Sequence, residues 1–212
     1  MKIYKELIQG TDEWFSVRKG KMTASHATAI GNCGKGLDTY CRQIVKEMII
    51  PKPFYTNADI ERGNELEPIA RQTYEFEFGL TVEQVGFIEH NDFVGCSPDG
   101  LINEDGGLEL KARNDDIHFG LLLGDLVDSS TIWQMNMCML ISGREWWDFG
   151  SYNPNFKQAL FIKRFFKEEK KQTALLEGFK IGEQKIKELI NIPAILKELR
   201  KESEFLKITE IK

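Results

Sequence analysis

The fold is decided by two short stretches of sequence, Ser97-Pro98-Asp99-Gly100 and Gly107-Leu108-Glu109-Leu110-Lys111. The second predicts a β-strand over residues 107–112, in which alternate side chains share one face. Leu108 and Leu110 lie on one face of this strand, which we expect to pack in a core. Glu109 and Lys111 share the other face, where burial is costly unless each charge has a partner or a function.

The segment between the two stretches predicts a hairpin. Asn103-Glu104-Asp105, followed by Gly106-Gly107, is typical of a tight turn. The turn would return Asp99 to the side of Glu109, and two converging carboxylates suit Mg²⁺ or Mn²⁺. Lys111 beside them can orient or deprotonate a water. The alternative is a surface hairpin with an ordinary ion pair and a plain Pro-Asp-Gly turn.

A third carboxylate, Glu67, lies on a predicted helix over residues 57–78 that ends at Gly79. Pro68 must start, kink or break this helix. If the helix continues through Pro68, the residues in phase with Glu67 are apolar or small: Ile60, Gly63, Ala70 and Tyr74. Glu67 is then either a satisfied core residue or a ligand. We favour the ligand, because an unpaired buried carboxylate is destabilising.

Hydrophobic periodicity predicts the remaining elements. They are a helix over 37–49 stopped by Pro51, strands over 80–89 and 93–97, a helix over 131–141 and strands over 146–152 and 159–166. Charged helical segments follow from Lys167 to about Leu206, with an interruption near Pro193. This order predicts an α/β or α+β fold in which helices pack on a sheet.

Composition is that of an ordinary globular protein of 212 residues, with 42% hydrophobic and 29% charged residues. Without repeats or linkers, we expect residues 1–212 to form a single domain. No long apolar run or apolar N-terminal segment is present, so we expect a cytoplasmic protein without membrane contact. The net charge of −5 argues against a protein that coats nucleic acid by charge alone. This charge is uneven, at −10 over 1–156 and +5 over 157–212.

The cysteines have no metal-binding spacing. Cys33, Cys41, Cys96 and Cys138 form no C-x-x-C pair, and the chain has only three histidines. We therefore expect reduced, mostly buried thiols, with neither zinc nor an iron–sulfur cluster. Any bound metal must be held by carboxylates.

Five motifs occur together in one order. They are Gly10-Thr11-Asp12-Glu13-Trp14 with Arg18, Gly20 and Thr23-Ala24-Ser25; Arg62-Gly63 with Glu67 and Ala70-Arg71; Ser97-Pro98-Asp99-Gly100; Glu109-Leu110-Lys111; and Trp133-Gln134-Met135-Asn136. In this combination the chain resembles the PD-(D/E)xK nuclease superfamily, and within it the phage-type alkaline exonucleases, relatives of phage lambda exonuclease and of the YqaJ viral recombinase domain. The resemblance covers about residues 10–165, whereas the helices over about 167–206 match nothing in particular.

The resemblance implies a restriction-endonuclease-like core, with a central mixed β-sheet flanked by helices and a helical C-terminal segment. It also implies a Mg²⁺-dependent 5′→3′ exonuclease, in which Mn²⁺ can substitute. Such enzymes digest one strand of linear double-stranded DNA, release mononucleotides and leave a 3′ single strand for recombination. Members of the family form a ring-shaped trimer, work with a single-strand annealing protein and are encoded by phages or prophages in bacterial hosts.

Site residues follow from the same resemblance. Asp99, Glu109 and Leu110 would bind the metal, Lys111 would position the attacking water, and Glu67 would hold a second metal or its water. The expected contacts to the 5′-phosphate are Arg18, Ser25 and Ser97. Gln134 would line the active site. Asn136 stands where relatives often have a second glutamine, which affects fine positioning.

Two other functions remain open. The first is a PD-(D/E)xK structure-specific DNA endonuclease, because the metal motif is the same in both enzymes. The second is a module that binds DNA ends on a decayed nuclease fold, although the intact Asp99, Glu109 and Lys111 argue against decay. An iron–sulfur exonuclease is excluded, because it needs a cysteine cluster near the C-terminus and the last cysteine is Cys138.

Overall fold

Two mixed β-sheets flanked by helices form the protein, seen in a computed structural model that describes residues 1–50 and 57–209, without the side chains of Asp59 and of residues 202–209. The strands are β1 (Lys2–Tyr4), β2 (Met22–Thr23), β3 (Val82–Glu83), β4 (Phe87–Asn91), β5 (Val94–Cys96), β6 (Gly100–Ile102), β7 (Gly106–Lys111), β8 (Trp146–Tyr152) and β9 (Leu160–Phe166). The α-helices are α1 (Asp12–Arg18), α2 (Ala27–Asn32), α3 (Lys35–Ile49), α4 (Ala58–Phe78), α5 (Asp115–Leu123), α6 (Ser129–Ser142), α7 (Glu169–Ile190) and α8 (Pro193–Thr209). This mixed α/β architecture confirms the expected fold class.

The larger sheet has β7 at its centre, in the order β3-β6-β7-β8-β9. β6 and β7 form the predicted antiparallel hairpin, and β7 pairs in parallel with β8. Leu108 and Leu110 pack in a cluster with Ala70 and Tyr74 of α4, as strand alternation predicts. The larger hydrophobic cluster contains residues of α6 and α7 and, from β8, Trp147.

The smaller sheet has the order β1-β4-β5-β2. The single strand expected over 80–89 was wrong, because β3 and β4 belong to different sheets. Gly86 lies between them, and its backbone N–H donates to Tyr4 O. The N-terminal segment packs so closely against Gly86 that any side chain there would collide with the backbone of Leu7. This packing separates β3 from β4.

The hairpin turn is fixed by the side chain of Arg144. Its Nη1 donates to the carbonyl oxygens of Ile102, Asn103 and Gly106 at 3.0, 2.9 and 2.6 Å. Asn103 adopts a left-handed conformation, with φ of 49°, which asparagine tolerates better than most residues. The predicted turn is confirmed, and it lies at the end of the hairpin remote from Asp99.

The helix predictions are confirmed with small shifts in their ends. α4 continues through Pro68 and ends at Gly79, which has a φ of 62°. α7 and α8 are separated just before Pro193, where the sequence predicted an interruption. The predicted stop at Pro51 lies outside the described residues. In the described part of the chain, no helix is both long and apolar enough to cross a membrane.

Candidate active site

The link between the two sheets brings Asp99 beside β7. Asp99 lies between β5 and β6, immediately before Gly100, and its Oδ2 accepts a hydrogen bond from the backbone N–H of Leu110 at 2.7 Å. Glu109 immediately precedes Leu110 in β7 and is fully buried. The structure therefore places the two carboxylates together, as the hairpin predicted. The alternative of an exposed surface hairpin is wrong, because Glu109 has no solvent exposure.

The two carboxylate oxygens of Glu109 have different environments. Oε1 accepts a hydrogen bond from Gln134 Nε2 at 2.6 Å and forms an ion pair with Lys111 Nζ. Oε2 is buried and has no hydrogen-bond partner within the described residues. A buried oxygen that carries part of a negative charge and lacks a partner is destabilising unless a proton or a cation binds it.

Burial raises the pKa values of both carboxyl groups. The pKa of Glu109 is raised to about 7 by burial and by the charge of Asp99, against the opposing effect of Lys111. Burial and the charge of Glu67 raise the pKa of Asp99 to about 6, again opposed by Lys111. Burial disfavours the ammonium of Lys111, but Glu109 and Asp99 outweigh burial and raise its pKa above the ordinary value. The two carboxylates therefore share a buried site in which Lys111 opposes their raised pKa values more strongly than Arg71 or Arg113 does.

This arrangement fits a hard divalent cation. No three His, Cys, Asp or Glu side chains of the described residues are grouped closely enough to hold a metal by themselves. Mg²⁺ does not require three, because it usually binds through one or two carboxylates and keeps several waters. Asp99 and Glu109 provide two carboxylates, and the unpartnered Glu109 Oε2 provides a free ligand oxygen.

Glu67 borders the same site without being buried in it. Its side chain is 37% exposed and pairs with Arg71, whose Nη1 lies 3.2 Å from Glu67 Oε1. The expectation of a fully inward stripe was wrong at Ile60, which is 41% exposed, because the N-terminal half of α4 borders an open cleft. This cleft of about 420 Å³ is also lined by Asp99 and Lys111.

Arg18 lies at a second potential binding position, next to the one formed by Asp99 and Glu109. Its Nη1 donates to Ser97 Oγ at 2.7 Å, and its guanidinium stacks 4.0 Å from the centroid of the Trp14 ring. Trp14 Nε1 also donates to Ser97 Oγ, at 3.1 Å. Burial lowers the pKa of Arg18, and no carboxylate among the described residues pairs with it. A partly buried guanidinium without an acidic partner is well suited to bind an anion.

Ser97 joins the two positions, because Asp99 follows it by only two residues. Ser25 is exposed, and its Oγ lies 3.2 Å from His26 Nδ1 and 3.4 Å from Thr23 Oγ1. No direct contact joins Ser25 to Arg18 or Ser97 among the described residues. The structure thus brings Arg18 and Ser97 together and places Ser25 in contact with other groups.

Asn136 has a structural role. It is fully buried in α6, and its Oδ1 accepts from the backbone N–H of Glu168, at 2.8 Å. Its backbone oxygen accepts from Gln172 Nε2, also at 2.8 Å. Asn136 therefore joins α6 to the start of α7, whereas Gln134 in the same helix contacts Glu109.

Two arginines near the site were not predicted as site residues from the sequence. Arg71 Nη1 lies 3.3 Å from the backbone oxygen of Asp99 as well as near Glu67. Its spacing of four residues from Glu67 on a helix could have indicated the pair. Arg113 lines the cleft and pairs with Asp128. Its position two residues after Lys111 was the available signal.

Comparison with known proteins identifies similar chains. Residues 13–145 match the YqaJ-like viral recombinase domain. The crystal structure of LHK-Exo, an alkaline exonuclease from Laribacter hongkongensis, is 31% identical, with a TM-score of 0.70 over 95% of this chain and 98% of that chain. A crystal structure of LHK-Exo in complex with dAMP gives the same values.

A phage-related exonuclease from Haemophilus somnus 129PT has a similar fold. It is 14% identical, with a TM-score of 0.62 over 80% of this chain and 95% of that chain. No curated protein matches the chain significantly.

Proposed function

Because the chain belongs to the YqaJ-like viral recombinase domain family, we propose that it is a Mg²⁺-dependent exonuclease that digests one strand of linear double-stranded DNA in the 5′→3′ direction. The observation that carries this proposal is the position of Asp99, hydrogen-bonded to the backbone of Leu110, beside a fully buried Glu109 whose Oε2 has no partner within the described residues. The similarity to LHK-Exo, an alkaline exonuclease, over nearly the whole chain supports an exonuclease activity.

Asp99 and Glu109 would hold the metal, together with the backbone oxygen of Leu110. When bound, Mg²⁺ would supply an activated water and charge neutralisation on the scissile phosphate. Burial serves this role, because oxygen ligands in a site of low polarity interact more strongly with a cation. Mn²⁺, which prefers the same ligands, should substitute.

Lys111 would orient the attacking water and offset charge on the phosphate. Its raised pKa keeps it an ammonium at neutral pH in the metal-free protein, which favours orientation over proton abstraction. Gln134 would hold Glu109 through its 2.6 Å hydrogen bond, which limits rotation of the carboxylate. Glu67 would hold a second metal or its water from the exposed side of the cleft.

Arg18 would bind the 5′-phosphate at the end of the digested strand, with Ser97 as a hydrogen-bond partner. The guanidinium is already held by Ser97 Oγ and the Trp14 ring, so little conformational entropy is lost on binding. Ser25, whose side chain is exposed, would be a further contact to the phosphate. The complex of LHK-Exo with dAMP, a nucleoside monophosphate, is consistent with a site that handles single nucleotides.

A ring-shaped trimer that encloses the DNA and a single-strand annealing protein as partner complete the proposal. Enclosure would keep a protein of net charge −5 on a polyanionic substrate. Digestion would leave a 3′ single strand for the annealing protein in recombination.

The activity can be tested with linear duplexes that carry a label at either the 5′ or the 3′ end. We expect Mg²⁺ to release the 5′ label early as a mononucleotide, whereas the 3′ label stays on a shortening strand. A closed circular duplex is the matched substrate without ends and should stay intact. Rapid nicking of that circle would instead favour the structure-specific endonuclease.

A further inference from the structure

Arg113 has no role in the site as described so far. It follows β7, two residues after Lys111, and lines the same cleft as Asp99 and Lys111. Its guanidinium adds positive charge at the edge of a cleft that is also lined by Glu67 and Asp99.

The side chain and the backbone of Arg113 are both held in place. Nη2 donates to Asp128 Oδ2 at 2.6 Å and approaches Thr131 Oγ1 at 3.4 Å. The backbone oxygen accepts from Arg62 Nη2 at 3.0 Å and from Asn153 Nδ2 at 3.1 Å. A guanidinium positioned in this way loses little freedom when it binds a further acceptor.

One buried donor of this guanidinium has no hydrogen-bond partner among the described residues. Arg113 Nε is buried and has no acceptor within the part of the chain that the structure describes. Buried N–H donors are nearly always paired, and an unpaired one is destabilising. Asp128 and Thr131 engage only Nη2, so a guanidinium with five N–H groups retains capacity for an anion.

We propose that Arg113 binds a backbone phosphate of the DNA strand being cut, next to the scissile phosphate. This inference rests on the proposed function, because the anion is taken to be DNA. A phosphate is the anion that a nuclease cleft must accept, and its oxygens match the planar donors of arginine.

The alternative role is structural. Asp128 caps α6, since its Oδ1 accepts from Thr131 N at 2.8 Å, and α6 carries Gln134. Arg113 would then merely tie the end of β7 to the start of α6. The substitution Asp128→Asn separates the two roles, because asparagine caps a helix as well as aspartate but removes the charge that pairs with Arg113.

The test measures binding of a short 5′-phosphorylated duplex by fluorescence anisotropy, over a series of KCl concentrations and without divalent metal, so that no hydrolysis interferes. We expect Arg113→Gln to weaken binding about tenfold. The slope of log affinity against log salt, which is negative, should become shallower by about 0.9. Asp128→Asn should change the affinity less than about twofold and leave the slope unaltered. Arg113→Lys, which keeps the charge, should retain the slope.

A scan with single neutral methylphosphonate linkages would locate the contact. The parent chain should lose affinity at one linkage near the digested end, and Arg113→Gln should be insensitive there. An unchanged salt slope in Arg113→Gln, or equal weakening by Arg113→Gln and Asp128→Asn, would overturn the proposal. Failure of the proposed function would look different, since the parent chain would then show no metal-dependent hydrolysis whatever its salt slope.

Discussion

Glu109 combines features that are each unfavourable alone. It is fully buried, shares its site with Asp99 and leaves one oxygen without a partner in the described residues. A cation bound between the two carboxylates would remove all three penalties, which links the energetics of this residue to its proposed function.

The binding of Mg²⁺ should depend on pH at this residue. Protons and Mg²⁺ compete for the same oxygens, and burial raises the pKa of Glu109 to about 7 and that of Asp99 to about 6. Affinity should therefore rise with pH up to about 7 and then level off. Calorimetry in two buffers of different ionisation enthalpy should detect proton release on binding near pH 6.5, roughly midway between these pKa values.

The control for this titration is Glu145→Gln, which changes an exposed acid paired with Lys167 and should behave as the parent chain. Binding without proton release would contradict the assigned ligands. The effect of pH on stability has the opposite sign to its effect on Mg²⁺ affinity. Because the folded pKa of Glu109 lies above its ordinary value of 4.5, the metal-free protein should lose stability as the pH rises from 4.5 to about 7.

Arg18 should control the preference for a phosphorylated end. Arg18→Ala removes the guanidinium and should reduce the ratio of kcat/KM for 5′-phosphorylated over 5′-hydroxyl duplexes by about tenfold or more, because a charge-assisted hydrogen bond is lost. Mg²⁺ affinity should stay the same. Arg42→Ala, at an exposed arginine paired with Asp38, is the control. An unaltered ratio in Arg18→Ala would place the end-binding residues elsewhere.

Prediction from the sequence was most accurate where side chains follow a regular geometric alternation. Alternation along β7 separated Glu109 and Lys111 from Leu108 and Leu110, and the structure has the same division. It was least accurate for Arg113, whose position depends on Asp128 from another element. Contacts between distant elements leave no periodic signal in the sequence.

At the scale of elements, the β6–β7 hairpin sets the distance between Asp99 and Glu109. Its turn was predictable from the local residues 103–107, which carry their own conformational preferences. The division of residues 80–89 into β3 and β4 was not predictable, because it depends on packing of the N-terminal segment near Gly86.

Removal of Arg144 should destabilise this hairpin. Arg144→Ala leaves three carbonyl oxygens without their charged donor, and we expect it to lower the free energy of unfolding by about 2 kcal/mol. Urea denaturation measures the change, and Arg42→Ala should have almost no effect, as is usual for exposed ion pairs. Equal losses in the two variants would show that the contacts to the turn contribute little.

At the scale of the whole molecule, we propose that residues 1–212 fold as a single domain. Leu175, Phe179 and Ile186 of α7 are buried in the cluster that contains Met135 and Trp147. The C-terminal helices should therefore unfold together with the sheets. Scanning calorimetry should show one transition with equal calorimetric and van't Hoff enthalpies, whereas a separate transition for the helical segment would indicate two units.

At this scale, the net charge of −5 can be related to the proposed metal site. Part of the acidity belongs to Glu67, Asp99 and Glu109, where bound divalent cations would offset it as phosphate approaches. The net charge argues against adhesion to DNA through a broad basic surface. The protein would instead depend on metal, on an accessible end and on enclosure of the duplex.

The central claim is that Asp99 and Glu109 form a metal site that hydrolyses DNA. Its most direct test is Mg²⁺-dependent release of mononucleotides from a linear duplex by the parent chain, Asp99→Asn and Glu109→Gln, each checked for folding by circular dichroism. We expect the parent chain to be active only with metal and both variants to be slower by about a thousandfold or more. Substantial hydrolysis by both folded variants would contradict the assignment.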